Sequence, residues 1–274
     1  MTRALSKDTL LCMSLAGRPS NIGTRFHNYL YDELDLDYVY KAFTTTDIGA
    51  AVAGIRALGI RGCSVSMPYK ETCIEHLDGL DASAEPIASV NTIVNEAGQL
   101  RGFNTDYLAV GELLDEHEVG TDLSFCVLGS GGMAKAVLAA LRDHGFRDGV
   151  VVARNVQRGQ ALAGQYGYAW QPQVGSSRPR LLVNATPIGM TGSPDADVVP
   201  VEVAVVEACD VVFDVVAFPA QTPLIHLARR VGKPVISGTE VIAVQAAEQF
   251  VLYTGVRPSA EQVRRASAFS REPA

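Results

Sequence analysis

Phe125-Cys126-Val127-Leu128 is a short apolar run, and Gly129-Ser130-Gly131-Gly132-Met133-Ala134 follows it directly, ahead of the helix-forming residues 135–141. The order strand, glycine turn, helix is what a bound pyrophosphate needs. The turn exposes backbone N–H groups at a helix N-terminus, where the helix dipole also favours negative charge. In this reading Gly129 makes the tight turn and Gly131 lets the backbone approach the phosphates. Ala134 is the third small residue, where helix and strand pack closely. The stretch predicts a dinucleotide-binding domain of the doubly wound α/β type.

Just downstream, residues 150–153 form the next apolar strand, whose end should lie near the adenosine ribose. A site for the non-phosphorylated dinucleotide expects an acidic residue there, accepting from the ribose 2′-hydroxyl. This chain has Ala153-Arg154-Asn155-Val-Gln-Arg158 instead. Two guanidinium groups suit a 2′-phosphate, so the expected cofactor is NADP (NADPH).

On either side the chain alternates strand-like and helix-like segments. Before the turn, residues 10–16, 38–43 and 62–66 read as strands, with amphipathic helices over 24–33 and 48–58 between them; Asp47 caps the second and Gly59 ends it. Residues 90–95 and 99–102 form a hairpin around Glu96-Ala97-Gly98, and residues 107–117 a helix. After residue 238 two helices, 241–253 and 260–269, close the chain. The fold class expected is α/β with two domains. Residues 1–105 with 239–274 form a mostly parallel substrate and catalytic domain, on which the C-terminal helices pack back; residues 106–238 form the Rossmann-type domain.

Composition narrows the partners. With 47% hydrophobic residues and 19% charged in 274 residues, the chain can bury sizeable cores. A formal net charge of −7 argues against general affinity for nucleic acid or anionic membranes. The five scattered cysteines contain no C-x-x-C pair, so neither a disulfide framework nor a metal site is expected, in keeping with a reducing, cytoplasmic setting. The apolar run 10–16 is too short to span a bilayer.

Three segments outside the dinucleotide domain concentrate polar groups among apolar residues: Ser64-Val-Ser66-Met-Pro68-Tyr-Lys70, Ser89-Val-Asn91-Thr92 and Gly102-Phe-Asn104-Thr105-Asp106. With Asn184-Ala-Thr186-Pro187-Ile-Gly189, Asp214-Val215, Thr222-Pro223-Leu224, Gly238 and Gln245, they resemble the shikimate dehydrogenase family, in order and over nearly the whole chain. The pattern looks most like its shikimate dehydrogenase-like paralogue group. The resemblance implies hydride transfer between NADP and a ring carbon of shikimate, or a closely related hydroxylated cyclic carboxylic acid, giving the 3-dehydro ketone. It makes Lys70 the acid–base group and Asp106 its partner. It also places Asn91 and Gln245 on substrate hydroxyls with Ser66 and Thr105 near them, and Asn184, Thr186, Pro187, Val215 and Gly238 beside the cofactor. His27 reads as structural, and a monomer or homodimer is expected.

The chain departs from the family pattern at two places that grip the substrate carboxylate. Where the family carries Ser-x-Ser-Pro before a His-Asn pair, this sequence has Asn21-Ile-Gly23-Thr24 before His27-Asn28, and Ala217 stands where a tyrosine is usual. Losing one donor to a charged group costs on the order of 1.5–3 kcal/mol. Either Ser14, Arg18, Ser20 or Asn21 replaces the grip, or the substrate is not shikimate itself. The competing readings are a quinate-type dehydrogenase using NAD, and a non-catalytic dinucleotide sensor on the same scaffold.

Overall fold

The computed structural model describes residues 5–272. The chain divides into two compact units. One comprises the chain up to Thr105 together with the chain from Ala243 onward; the other is Asp106–Ile242.

The first unit runs β1 (Leu10–Leu15), α1 (Asn21–Glu33), β2 (Tyr38–Phe43), α2 (Ile48–Ala57) and β3 (Gly62–Val65), followed by β4 (Gly79–Leu80), β5 (Thr92–Glu96) and β6 (Gln99–Phe103). Its sheet has the order β2-β1-β3-β5-β6-β4. The β1, β2 and β3 pairings are parallel because helices carry the crossovers. β5 turns back antiparallel to β3 and forms a hairpin with β6. The hairpin turn is the pair Ala97-Gly98, both at positive φ (51° and 90°), the geometry that matches strand twist. α1 begins at Asn21, three residues ahead of the expected start, because the polar Ser20 and Asn21 carry no apolar periodicity to signal it.

The first unit has two cores, one on each face of its sheet. Met13, Leu15, Val52, Ile55, Cys63, Val65 and Ile93 fill one beneath α2. On the other, Cys12, Phe26, Leu30, Tyr31 and Tyr40 meet Ala246, Phe250, Tyr253 and Ala266. These last four belong to the C-terminal helices α8 (Gly238–Thr254) and α9 (Ala260–Arg271), which thus pack back on the first sheet. A capping box at Ser259 and Gln262 starts α9.

The second unit opens at Asp106, within α3 (Thr105–Glu116). It alternates β7 (Phe125–Leu128), α4 (Gly132–Asp143), β8 (Gly149–Val152), α5 (Val156–Tyr166), β9 (Ala169–Gln171), β10 (Leu181–Asn184), α6 (Val203–Ala208), β11 (Val211–Asp214), α7 (Pro223–Arg230) and β12 (Val235–Ser237). Its sheet is wholly parallel in the order β12-β11-β10-β7-β8-β9. Strands covered on both faces read as unbroken apolar runs, as FCVL and LLVN do; all four side chains of each are buried. The five cysteines are buried and free, and burial raises every thiol's pKa, which leaves them inert. Among the described residues no helix is long and apolar enough to cross a membrane.

Candidate active site

In the second unit, sheet order reverses beside β7: β8 and β9 lie on one side, β10 to β12 on the other. Ligands of open α/β sheets bind at the carboxyl ends of the strands at this switch point. The glycine turn lies there. Gly129 has φ +114°, and a Cβ on it would stand 2.7 Å from the Ala185 carbonyl oxygen, so only glycine fits. Gly131, the N-cap of α4, and Gly132 are exposed, and a Cβ on either would meet nothing within 4 Å. The space in front of the helix terminus is therefore open, while Ala134 is fully buried against the sheet. The N–H groups of the first turn have no partner within the helix and face that space. This cradle fits a dinucleotide pyrophosphate. Ser130 and Met133 are part-buried beside it.

Beyond β8, Ala153 is buried and its carbonyl accepts from Trp170 Nε1 at 3.2 Å. Arg154 and Arg158 are exposed, and among the described residues neither is in an ion pair. Asn155 also has a structural task. Its Oδ1 accepts from the Arg158 N–H at 2.9 Å and caps α5, which leaves less of this side chain for a cofactor.

Asn184 and Thr186 are likewise engaged by the protein. Asn184, fully buried at the end of β10, donates to Asp214 Oδ1 at 3.0 Å and to the Ile188 carbonyl at 3.2 Å. Its Oδ1 accepts from the Thr186 hydroxyl at 2.6 Å. Asp214 also accepts from the Val216 N–H at 3.1 Å and the Thr222 hydroxyl at 2.5 Å. The segments 184–188 and 214–222 are thereby tied at the carboxyl edge, where Pro187 is exposed. Gly238 has a packing reason too, since a Cβ there would lie 2.4 Å from the Val215 carbonyl oxygen.

Burial raises the Asp214 carboxyl from 3.8 to about 6, against the pull of its three donors. The folded state therefore binds a proton that the unfolded chain has released, and stability falls as pH rises from about 4 to about 6. Asp214→Asn should flatten this slope, whose full span is at most about 3 kcal/mol. Denaturant titrations of both proteins across that window would show it, and parallel slopes would contradict it.

In the first unit the polar residues gather at the carboxyl ends of β1 and β3 and around Asn91. The Asn91 Oδ1 accepts from the Thr92 hydroxyl at 2.9 Å, the Thr105 N–H at 2.8 Å and the Thr105 hydroxyl at 3.2 Å. A backbone N–H must find an oxygen, so the amide orientation is fixed. The Asn91 Nδ2 is then left buried without a partner on a residue only 3% exposed. A buried amide N–H₂ without a protein partner is a donor left available to a ligand oxygen. Gln245 Oε1 lies 3.4 Å from the same Thr105 hydroxyl. Gln249, one helical turn on, donates to the Asn91 carbonyl at 3.2 Å and to the Thr92 hydroxyl at 3.0 Å. Its spacing from Gln245 is the only sequence signal for it, and the motifs do not use it.

Lys70 is half-buried in the turn after β3, and the surrounding chain fixes that turn. Met67 accepts from the Gly17 N–H at 3.0 Å, the Lys70 carbonyl from the Val90 N–H at 2.8 Å, and the Tyr69 hydroxyl donates to the Thr45 carbonyl. Ser66 is exposed on the same turn and Ser14 half-buried on β1. Ser20 and Asn21 are exposed at the start of α1, where Ser20 is the N-cap but makes no side-chain cap bond. His27 is fully buried, stacked on Tyr40 at 4.4 Å between ring centroids; burial lowers its pKa to about 3, and Gln249 opposes this only in part. Asp106, in the second unit, is half-buried in the first turn of α3. Among the described residues no cluster of side chains could hold a metal ion.

The second unit's sheet order and glycine turn define a Rossmann-type dinucleotide-binding domain. Residues 21–93 match the shikimate dehydrogenase substrate binding domain. The shikimate dehydrogenase-like protein of Haemophilus influenzae is 52% identical over 267 residues, covering 97% of this chain and 98% of that one. A solved shikimate 5-dehydrogenase-like protein superposes with a TM-score of 0.96 at 52% identity, covering 98% of this chain and all of that one. The shikimate 5-dehydrogenase of Thermus thermophilus, solved in complex with NADP(H) and shikimate, gives 0.86 at 30% identity, covering 95% and 99% of the two chains. The chain belongs to the shikimate dehydrogenase family.

Proposed function

We propose that this protein is an NADP-dependent dehydrogenase that interconverts a hydroxylated cyclic carboxylic acid, shikimate or a near relative, and its 3-dehydro ketone. The observation that carries this reading is the Asn91 amide. Its oxygen is committed to Thr92 and Thr105 while its N–H₂ is buried with no partner. Such a donor recognises a ligand hydroxyl or carbonyl oxygen, and Gln245 adds a second carboxamide beside it. Gly129, Gly131 and Gly132 would hold the pyrophosphate of a dinucleotide, whose nicotinamide would supply or accept the hydride. As a hydroxyl becomes a ketone its proton must leave, and in the reverse direction one must arrive. Lys70 takes and returns that proton at the substrate oxygen, and the family resemblance supplies Asp106 as the second member of the catalytic pair. Arg154 and Arg158 select the phosphorylated dinucleotide.

A panel of cyclic polyol acids assayed with NADPH and NADH, by reduced-nicotinamide absorbance, tests the reading directly. Turnover with NADPH of at least one member is expected; no turnover with either cofactor would sink it. Asn91→Asp gives a sharper check. It keeps the acceptor that Thr92 and Thr105 require but replaces the orphan donor by a second oxygen. KM should rise about ten- to a hundredfold, and an unchanged KM would remove Asn91 from the site.

A further inference from the structure

Gln249 lies on α8, one helical turn beyond Gln245 and on the same face, and it is 4% exposed. Its Nε2 donates in two directions, to the Asn91 carbonyl at 3.2 Å and to the Thr92 hydroxyl oxygen at 3.0 Å. A carbonyl can only accept, so the nitrogen of the Gln249 amide must be the atom turned towards Asn91. Gln249 therefore meets Thr92 as a donor as well.

A hydroxyl carries one proton. Because the Thr92 oxygen accepts from Gln249, its own proton is directed elsewhere, and the Asn91 Oδ1 stands 2.9 Å away to accept it. Donors thus run in one direction, from Gln249 to Thr92 to Asn91, and end on the amide oxygen. The Thr105 N–H reaches the same oxygen at 2.8 Å. The Asn91 amide is held with its oxygen to the protein, and its Nδ2 is the atom buried without a protein partner. Main-chain bonds complete the clamp: the Asn91 N–H donates to the Phe103 carbonyl at 3.0 Å, and its carbonyl also accepts from the Val65 N–H at 2.7 Å.

Asn91, Thr92, Thr105 and Gln249 are each 4% exposed or less, so water competes little for these bonds. All four belong to one compact unit, which sets their geometry by itself. Without the Gln249 donor, the Thr92 hydroxyl can turn its proton away, and Oδ1 loses one of its donors. We infer that Gln249 is a positioning residue: acting through Thr92, it holds the Asn91 amide with its N–H₂ towards the substrate oxygen. The inference rests on the dehydrogenase reading above, with Asn91 as its substrate donor.

A double-mutant cycle tests it on the best acid of the panel. Gln249→Met keeps the length of the side chain, suits a buried helix face and removes both donors. Thr92→Val keeps a β-branched residue in β5 and removes the hydroxyl. Each should raise KM for the acid about three- to tenfold, the effect of one neutral hydrogen bond, with kcat within about twofold and KM for NADPH unchanged. Thr92→Ser, which retains the hydroxyl, should keep the wild-type KM. In the Asn91→Asp background, Gln249→Met should add no further change, because the group it positions is already gone. A merely structural glutamine would cost as much in either background. Should Gln249→Met not fold, Thr92→Val runs through the same cycle from a second element. An unmoved KM in the single variants, or a full loss repeated in the Asn91→Asp background, overturns the positioning role and leaves the dehydrogenase reading standing. A wild type that turns over no acid, or an Asn91→Asp KM equal to that of wild type, overturns that reading or its Asn91 contact, and this inference with it.

Discussion

Lys70→Ala is expected to lower kcat about 10²- to 10⁴-fold, the range removed with a general acid–base group, while KM moves little. The turn bearing Lys70 is tied by backbone bonds from Gly17 and Val90 and by the Tyr69 hydroxyl. None of these involves the lysine side chain, so truncating it should leave the turn in place. A loss confined to kcat means that the missing interaction forms only as the proton moves; a matched rise in KM would make Lys70 a binding residue instead. Lys70→Arg separates charge from proton transfer. The guanidinium keeps the cation but does not give up its proton, so arginine should rescue little of kcat. Substantial rescue would show that Lys70 works by charge alone. The chain's one tryptophan, Trp170, lies beside Ala153 near the end of β8. Its quenching by NADPH should be the same in both variants and wild type, which separates lost chemistry from lost cofactor.

The two units differed in how openly the sequence displayed them. In the second, parallel strands covered on both faces leave compact apolar runs, and the glycine turn is local, so strand, turn and helix could be read in one pass from Phe125 to Leu141. The first unit is harder. Its antiparallel β5 and β6 interrupt the β-α-β rhythm, and Ser20 and Asn21 conceal the start of α1. Site residues followed the same division. Asn91 and Thr105 lie in short polar segments that stand out against apolar neighbours. Gln245 is a single amide in the apolar stretch 241–247 that only the family resemblance singles out. The structure brings those three together. Gln249 is hidden because its contacts with Asn91 and Thr92 span more than 150 positions. Tyr40, in an apolar strand, reads as core and is core; its support from His27 and Asn28 appears only once α1 is laid on β2. The Asn184–Asp214–Thr222 network is not legible in the motifs, because the hydrogen bonds that join these side chains form only when β10, β11 and the start of α7 meet.

Removing both guanidinium groups, in Arg154→Ala with Arg158→Ala, is expected to weaken NADPH by about a hundredfold or more and to leave NADH nearly unchanged. Each charge-assisted bond to a phosphate contributes about 1.5–3 kcal/mol, or roughly ten- to a hundredfold. Exposure of both side chains argues for the lower end, because solvent and salt screen them. The same exposure makes the pair selective, since neither is held in an ion pair among the described residues and neither supports the fold. The Asn155 cap on α5 depends on the Arg158 backbone N–H, which alanine retains, so the helix should start unchanged. Trp170 quenching titrations with each cofactor, at low and high salt, measure the effect. The NADPH advantage of wild type should shrink as salt rises, and the double variant should show almost no advantage to lose. Equal weakening of NADPH and NADH would instead place the two arginines on the shared pyrophosphate or adenine. The preference for the phosphorylated cofactor would then need a source other than the end of β8.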